Sequence, residues 1–314
     1  MRVLGARPGT LVADPGRPPA TLESAQLGSA SPPRMAPAQV IEAGGIHAVP
    51  VQQAPAAEFA AFLDGIQRSV VVGHFGSTIP VVHGTVAAAI RVRSDRVLRT
   101  WGSGPRIDRA LFLPVALVSQ GAVNDLSDAG FAIVDTTPDG GQSGHPHELL
   151  GHARQAIQQK REDNEAALAR EWCSSEQRAL YVDGGISAFG EASRSPAPVG
   201  VIKSHHTLYV DPAAVQIVVS LAPGERTTAF AVATRLRTRV ASWYLRLRAG
   251  DGIDPFAGIV RIEVCEGGFS PGRADLVSAW VLAEREPVAL PDPRWRAMAY
   301  GVRDCERYLR AVAG

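Results

Sequence analysis

The chain has 314 residues, 46% hydrophobic and 20% charged, a globular composition that excludes a collagen-like or wholly disordered protein. Lys and Arg total 32 against 31 Asp and Glu, a net charge of +1, so no global field attracts polyanions or an acidic membrane and any nucleic-acid site must be a local patch. Cys173, Cys265 and Cys305 are odd in number and widely spaced, which fits neither a disulfide framework nor a C-x-x-C zinc pair, and no apolar run reaches the roughly 18–20 residues of a membrane span. Without a signal-peptide pattern, the expectation is a soluble protein of the reducing cytoplasm.

Residues 1–55 are rich in Pro, Ala, Gly and Ser and lack a sustained period, which predicts a mostly disordered arm ahead of one folded domain over 56–314. That domain opens with Glu58-Phe-Ala-Ala-Phe-Leu63 running into Asp64-Gly65. Strand-like stretches at 69–74 and 79–93, separated by Gly76-Ser77, predict an antiparallel meander. The apolar run 110–118 reads as a buried helix or strand, and 131–134 as a short strand. A glycine-rich break at 140–144 precedes a long helix over about 146–172. Strand-like segments follow at 179–182, ending on Asp183-Gly184-Gly185, then at 199–210, 215–221, 227–233, 242–247 and 259–264. Two helices, 274–284 and 295–312, close the chain around Pro287, Pro291 and Pro293. Strands, a long helix, more strands and terminal helices make a mixed α/β domain.

Two local patterns match: Phe62-Leu63-Asp64-Gly65 and Tyr181-Val182-Asp183-Gly184. Each reads as a short apolar strand ending on Asp, with the backbone turning away at Gly. Side by side, such strand ends bring two carboxylates within reach of one divalent cation, and hard cations such as Mg²⁺ and Mn²⁺ choose oxygen ligands. A plain Asp-Gly turn is the alternative. The long helix offers Glu162, Asp163, Glu165 and Glu171 as a third acid. At 100° per residue Glu165 lies ~60° from the apolar Leu168, whereas Glu162 lies ~120° away, so Glu165 is the one placed to face inward. Its alternative is an exposed acid paired with Arg161 at i−4.

With these residues in place the chain resembles the NurA family of DNA-end-processing nucleases. The likeness rests on Phe62-Leu-Asp-Gly65, a carboxylate-bearing helix and Tyr181-Val-Asp-Gly-Gly-Ile-Ser187. It continues through Val199-Gly-Val-Ile-Lys-Ser-His205, Trp243-Tyr-Leu-Arg-Leu247, Gly258-Ile-Val-Arg-Ile-Glu263 and Asp292-Pro-Arg-Trp295 with Tyr300. The resemblance implies a ribonuclease H-like mixed sheet flanked by helices. It also implies Mn²⁺- or Mg²⁺-dependent hydrolysis of DNA phosphodiesters in repair, by Asp64, Glu165 and Asp183. Two departures stand out: Gly185 follows where the family has Ser, and the family's late histidine has no clear equivalent, so the fourth metal position falls among polar residues such as Arg303, Asp304 and Glu306, with Asp304 the first choice. The family further implies a HerA-type hexameric ATPase as partner and a homodimer. The chain has no Gly-x-x-x-x-Gly-Lys-Ser/Thr loop, so ATP hydrolysis would fall to a partner.

Lys203, one of only two lysines, sits where it would offset phosphate charge, or serves as an edge-strand charge. Arg235, Arg237, Arg239 and Arg246, with Arg248, surround Trp243 and Tyr244. They predict a single-strand track of phosphate contacts and base stacking, with a solvated strand face as the alternative. Arg261 and Glu263 share a strand face, as an ion pair or in support of the metal site. His147 and His152 stand at i and i+5, not the i and i+4 of a zinc-protease helix. His205 and His206 are expected on opposite strand faces, with one of them lining the cleft. The competing function is a catalytically silent ribonuclease H-like module that binds nucleic acid or a protein.

Overall fold

The computed structural model describes residues 11–12, 33–42, 44–94, 97–138, 144–234, 237–250, 254–285 and 300–313. Four short strands come first: β1 (Leu11–Val12), β2 (Arg34–Ala36), β3 (Gln39–Val40) and β4 (Ala48–Pro50). A long hairpin of β5 (Ala61–Phe75) and β6 (Ile79–Ser94) follows, then β7 (Val97–Thr100) and β8 (Arg106–Leu113). After α1 (Gln120–Asp128) and β9 (Ile133–Asp135) comes the 30-residue α2 (Pro146–Ser175). The second half holds β10 (Leu180–Asp183), β11 (Pro198–Ile202), β12 (Thr207–Tyr209), α3 (Val215–Val219), β13 (Glu225–Thr227) and β14 (Phe230–Thr234). It ends with β15 (Arg237–Arg246), β16 (Ile259–Cys265), α4 (Pro271–Ala283) and α5 (Tyr300–Ala313).

One large mixed sheet runs in the order β3-β14-β15-β16-β11-β10-β5-β6-β8-β9. Its centre is parallel, with β10 between β5 and β11, while the flanks, β5-β6-β8 on one side and β11-β16-β15-β14 on the other, are antiparallel. Strand alternation sends side chains to two helix-covered faces. Leu63, Leu180 and Val182 join Leu168, Ala169 and Trp172 of α2. Phe62, Tyr181, Val199 and Trp243 meet Val277 and Val281 of α4 and Val302 and Cys305 of α5. Helix α5 lies close to the sheet because Gly301 has no side chain: a Cβ there would stand 2.2 Å from the Phe62 ring. The run Ala87-Ala88-Ala89 on β6 is buried, and Ala87 and Ala89 admit Leu309 and Ala313.

Three expectations need correction. Asp64-Gly65 does not end a strand: the fifteen-residue β5 runs through it, because pairing with β6 continues from Ala61 to Phe75 with one irregularity between Val71 and Gly73. The segment 215–221 is largely the helix α3, a short apolar run of the kind that periodicity alone assigns to either class. The N-terminal arm is not wholly disordered, since β2, β3 and β4 pair with β12, β14 and β13. Glu42 explains much of this: it takes a two-pronged ion pair from the buried Arg226 (2.9 and 3.0 Å) and the Ala229 amide (2.7 Å), while Arg226 also donates to Asp275 (2.7 Å). A single buried charge partner does what a periodic apolar face would otherwise do. The motif Asp292-Pro-Arg-Trp295 lies outside the described residues, as does Arg235.

Candidate active site

Parallel pairing sets Tyr181 opposite Phe62 and Val182 opposite Leu63. One step further in the same register come Asp183 and Asp64, on the sheet face shared by Tyr181 and Phe62. There β10 stops, its backbone turning at Gly184 (φ +135°), while β5 runs on. The end of β10 leaves a notch in the sheet beside Asp64.

Glu165 reaches this notch from α2, on the opposite face. It is 5% exposed, whereas Glu162 is half-buried and takes a bond from Gln158 (2.9 Å). Gly65 makes the approach possible: a Cβ at that position would stand 2.2 Å from the Glu165 Oε1. The glycine beside Asp64 supplies room for the neighbouring acid and no turn. Glu165 is not the exposed acid of the alternative reading, but it does accept from Arg161 (2.5 Å), whose Nε donates to Gln67 (3.3 Å).

The three acids are electrostatically joined. Burial, then the charges of Asp183 and Glu165, push the Asp64 carboxyl up to about 8. Burial, opposed by Arg161 and reinforced by Glu162 and Asp183, pushes Glu165 up to about 7. Lys203, immediately after β11, donates to Asp183 Oδ2 (2.8 Å). Asp64 Oδ1 takes the Gly65 amide (2.8 Å).

The loop after Asp183 is held by Glu263. Its Oε2 accepts the amides of Ile186 (2.9 Å) and Ser187 (3.2 Å), and its Oε1 accepts from Arg261 (2.6 Å). A Cβ at Gly185 would stand 3.0 Å from that Oε2. Glycine in place of the family's serine therefore makes space for the carboxylate that fixes the turn behind Asp183. Arg261 and Glu263 form the ion pair the sequence allowed, in a role that positions this loop.

Other expected site residues lie elsewhere. Asp304 is bound to Arg91 Nε (2.6 Å) and is not among the charges that shift Asp64 or Glu165. Trp243 is fully buried, its Nε1 donating to Ser278 (2.9 Å), so its ring has no face for a base. Arg246 is 5% exposed and donates to the Ala257 and Val219 carbonyls (2.9 and 2.6 Å). Arg239 is exposed but paired with Glu266 (2.7 Å), and Arg237 is exposed at the start of the same strand. The expected stacking track on β15 is thus a strand of the core whose buried half presents no phosphate contacts. His205 is in neither a strand nor the notch; it donates to the Ile259 carbonyl (3.1 Å) and stacks on Phe256. His147 falls in the first turn of α2.

The donor set suits a hard divalent cation in kind: three carboxylates, oxygen donors only, whose mutual repulsion a cation relieves. Among the described residues no three His, Cys, Asp or Glu side chains already form a cation cage, and Lys203 and Arg161 each hold one carboxylate instead.

No family model matches the chain, and no curated protein matches it. Among solved structures it is similar to the NurA nuclease from Sulfolobus solfataricus, at 10% identity and a TM-score of 0.45, over 87% of this chain and 81% of that one. A likeness at this level assigns neither residues nor activity. Among the described residues no helix is long and apolar enough to cross a membrane.

Proposed function

We propose that the chain is a divalent-metal-dependent nuclease that hydrolyses DNA phosphodiester bonds, with DNA-end processing in repair as its use. One observation supports this most: Asp64, Glu165 and Asp183, from three separate elements, meet at one notch, where among the described residues Lys203 and Arg161 are the basic partners. Three acids against two bases leave Asp64 with a single backbone amide. Burial first, and the neighbouring acids after it, raise the proton affinities of Asp64 and Glu165.

Asp64 and Asp183 would hold Mn²⁺ or Mg²⁺, with Glu165 completing the set. A cation there would supply Lewis acidity toward a phosphoryl oxygen. The chain's own groups do the rest. Arg161 holds the Glu165 carboxylate in place from one turn away on the same helix. Lys203 sets a positive charge beside Asp183, where it offsets phosphate charge once the metal occupies the acid. The strand order β8-β6-β5-β10-β11, an antiparallel trio followed through α2 by two parallel strands, supports the ribonuclease H-like assignment. A HerA-type ATPase partner, a homodimer and a cytoplasmic location belong to the same proposal and rest on the sequence resemblance.

A second reading has its own support. Lys203 on Asp183 and Arg161 on Glu165 occupy oxygens a cation needs, the arrangement expected of a silent module that kept the fold. End-labelled single- and double-stranded DNA incubated with the purified chain and Mn²⁺ separates the two. Cleavage by the parent chain that is lost in Asp64→Asn and Asp183→Asn supports the nuclease. Cleavage that survives both substitutions sinks the site, and no cleavage with Mn²⁺ or Mg²⁺ favours the silent module.

A further inference from the structure

With β15 withdrawn as the nucleic-acid track, the sheet offers another. Arg68 on β5 pairs with Thr85 on β6, and Thr85 pairs with Arg109 on β8. Directly opposed residues of antiparallel strands point to one side, so these three form a row across the sheet. Arg68 and Arg109 are exposed and Thr85 is half-buried. The side in question is the one Asp64 faces, because Asp64, Ile66 and Arg68 alternate along β5.

This row lies in a gap between two helices. The row before it, Ile66, Ala87 and Ile107, is covered by Leu309 and Ala313 at the end of α5. Beyond it, Val81 and Leu111 are covered by α1 through Ala122 and Leu126. Between these covers run the Arg68–Thr85–Arg109 row and, on β5 and β6 alone, the Val70–His83 pair, whose β8 neighbour Leu111 already lies under α1. The strip is thus roughly 14 Å across at β5 and β6, at about 7 Å per row, and a single row at β8.

The charges here differ from those of six other arginines. Arg91, Arg93, Arg106, Arg178, Arg239 and Arg310 each hold a carboxylate. Among the described residues Arg68 and Arg109 hold none, and Arg109 donates to the Ala313 carbonyl (3.5 Å). Two guanidiniums two strands apart stand about 10 Å from each other, with His83 beside them on the same side. Asp64 is four residues, about 13 Å, along β5 from Arg68.

We propose that the Arg68–Thr85–Arg109 row, with His83, is the phosphate-contacting floor of a groove that carries one strand of nucleic acid toward the Asp64–Glu165–Asp183 notch. The uncovered strip, one row wide at β8, suits a single strand, and its positive charge complements a phosphate backbone. This deepens the nuclease assignment and rests on it for its use, although binding itself needs no cleavage.

The test is therefore made on binding, with the full chain in EDTA and a fluorescein-labelled oligothymidylate of about 30 nucleotides followed by anisotropy across a salt series. Arg68→Gln with Arg109→Gln should weaken binding and flatten the plot of log affinity against log salt by about 1.4, twice the ~0.7 for each lost single-strand contact. Arg239→Gln should leave the slope in place. Circular dichroism confirms that each variant folds. If the parent binds and the double variant keeps both affinity and slope, the groove is overturned while the nuclease assignment stands. If the parent binds no oligonucleotide at all, the groove is overturned. If the double substitution weakens a blunt duplex as much as the single strand, the single-strand assignment is overturned. Loss of cleavage without loss of binding in Asp64→Asn keeps the two conclusions separate.

Discussion

The notch at β5 and β10 and the strand β15 both carry dense charge beside aromatic residues, and they end up as opposites. At the notch, acids from three elements are pressed together beyond what their basic neighbours neutralise. On β15 the alternation that a strand imposes sends Trp243 and Leu245 into one core and Val240 and Tyr244 into the other. Buried Arg246 then serves the fold by satisfying two carbonyls. Like charges gathered in a buried place point to a missing partner, whereas a lone cation bonded to backbone carbonyls points to architecture.

Substitutions should therefore have opposite signs on stability in the two regions. Trp243→Ala should lower stability by about 3–5 kcal/mol, the range for emptying a large aromatic site, as read by urea unfolding. A loss below about 1 kcal/mol would place that ring outside the core. Glu42→Ala should cost about 3 kcal/mol or more by leaving the buried Arg226 without one of its two acids. That variant tests the ordered part of the N-terminal segment, and an unchanged unfolding midpoint would return 33–51 to the status of an arm.

Asp64→Asn should act the other way on the metal-free chain. Its carboxyl binds a proton up to about pH 8 when folded, against ~3.9 in an unfolded chain. The folded state thus holds more protons between those values, and metal-free stability falls as pH rises from about 4 to 8. Asparagine removes that dependence and should raise the melting temperature at pH 8 while abolishing cleavage, by more than about 100-fold, the upper figure for mere supporting residues of metal sites. Added Mn²⁺ should raise the parent's melting temperature most near pH 8 and least near pH 5, where protons compete for the same oxygens. A parent whose melting temperature climbs from pH 5 to 8 without metal would break the crowded-acid account.

The smallest effects sharpen the contrast. Glu165→Gln should remove most Mn²⁺-dependent cleavage, whereas Glu162→Gln, outside the notch, should change stability by no more than about 0.5 kcal/mol and leave cleavage nearly intact. A reversed order would put Glu162 at the site. Arg237→Gln should leave DNA affinity unaltered if β15 carries no strand.

Much of this protein was legible in the amino-acid order. The long helix, the β5–β6 hairpin, the strand ending on Asp183 and the inward phase of Glu165 follow from periods of 2 and 3.6, which local sterics impose on any chain. The matched Asp-Gly pairs pointed to two acids that the fold sets on neighbouring strands, but for an incomplete reason, since a dipeptide does not say whether glycine turns a backbone or clears space. Only the tertiary structure decided that Gly65 clears space for Glu165, that Gly185 does so for Glu263, and that Asp304 belongs to Arg91. It alone tied Glu42 to Arg226 across 184 positions, drawing residues outside any apolar period into the sheet. The physical reason is the same in each case. Secondary structure depends on neighbours a few residues away, whereas burial and charge balance depend on partners that distant parts of the chain bring together.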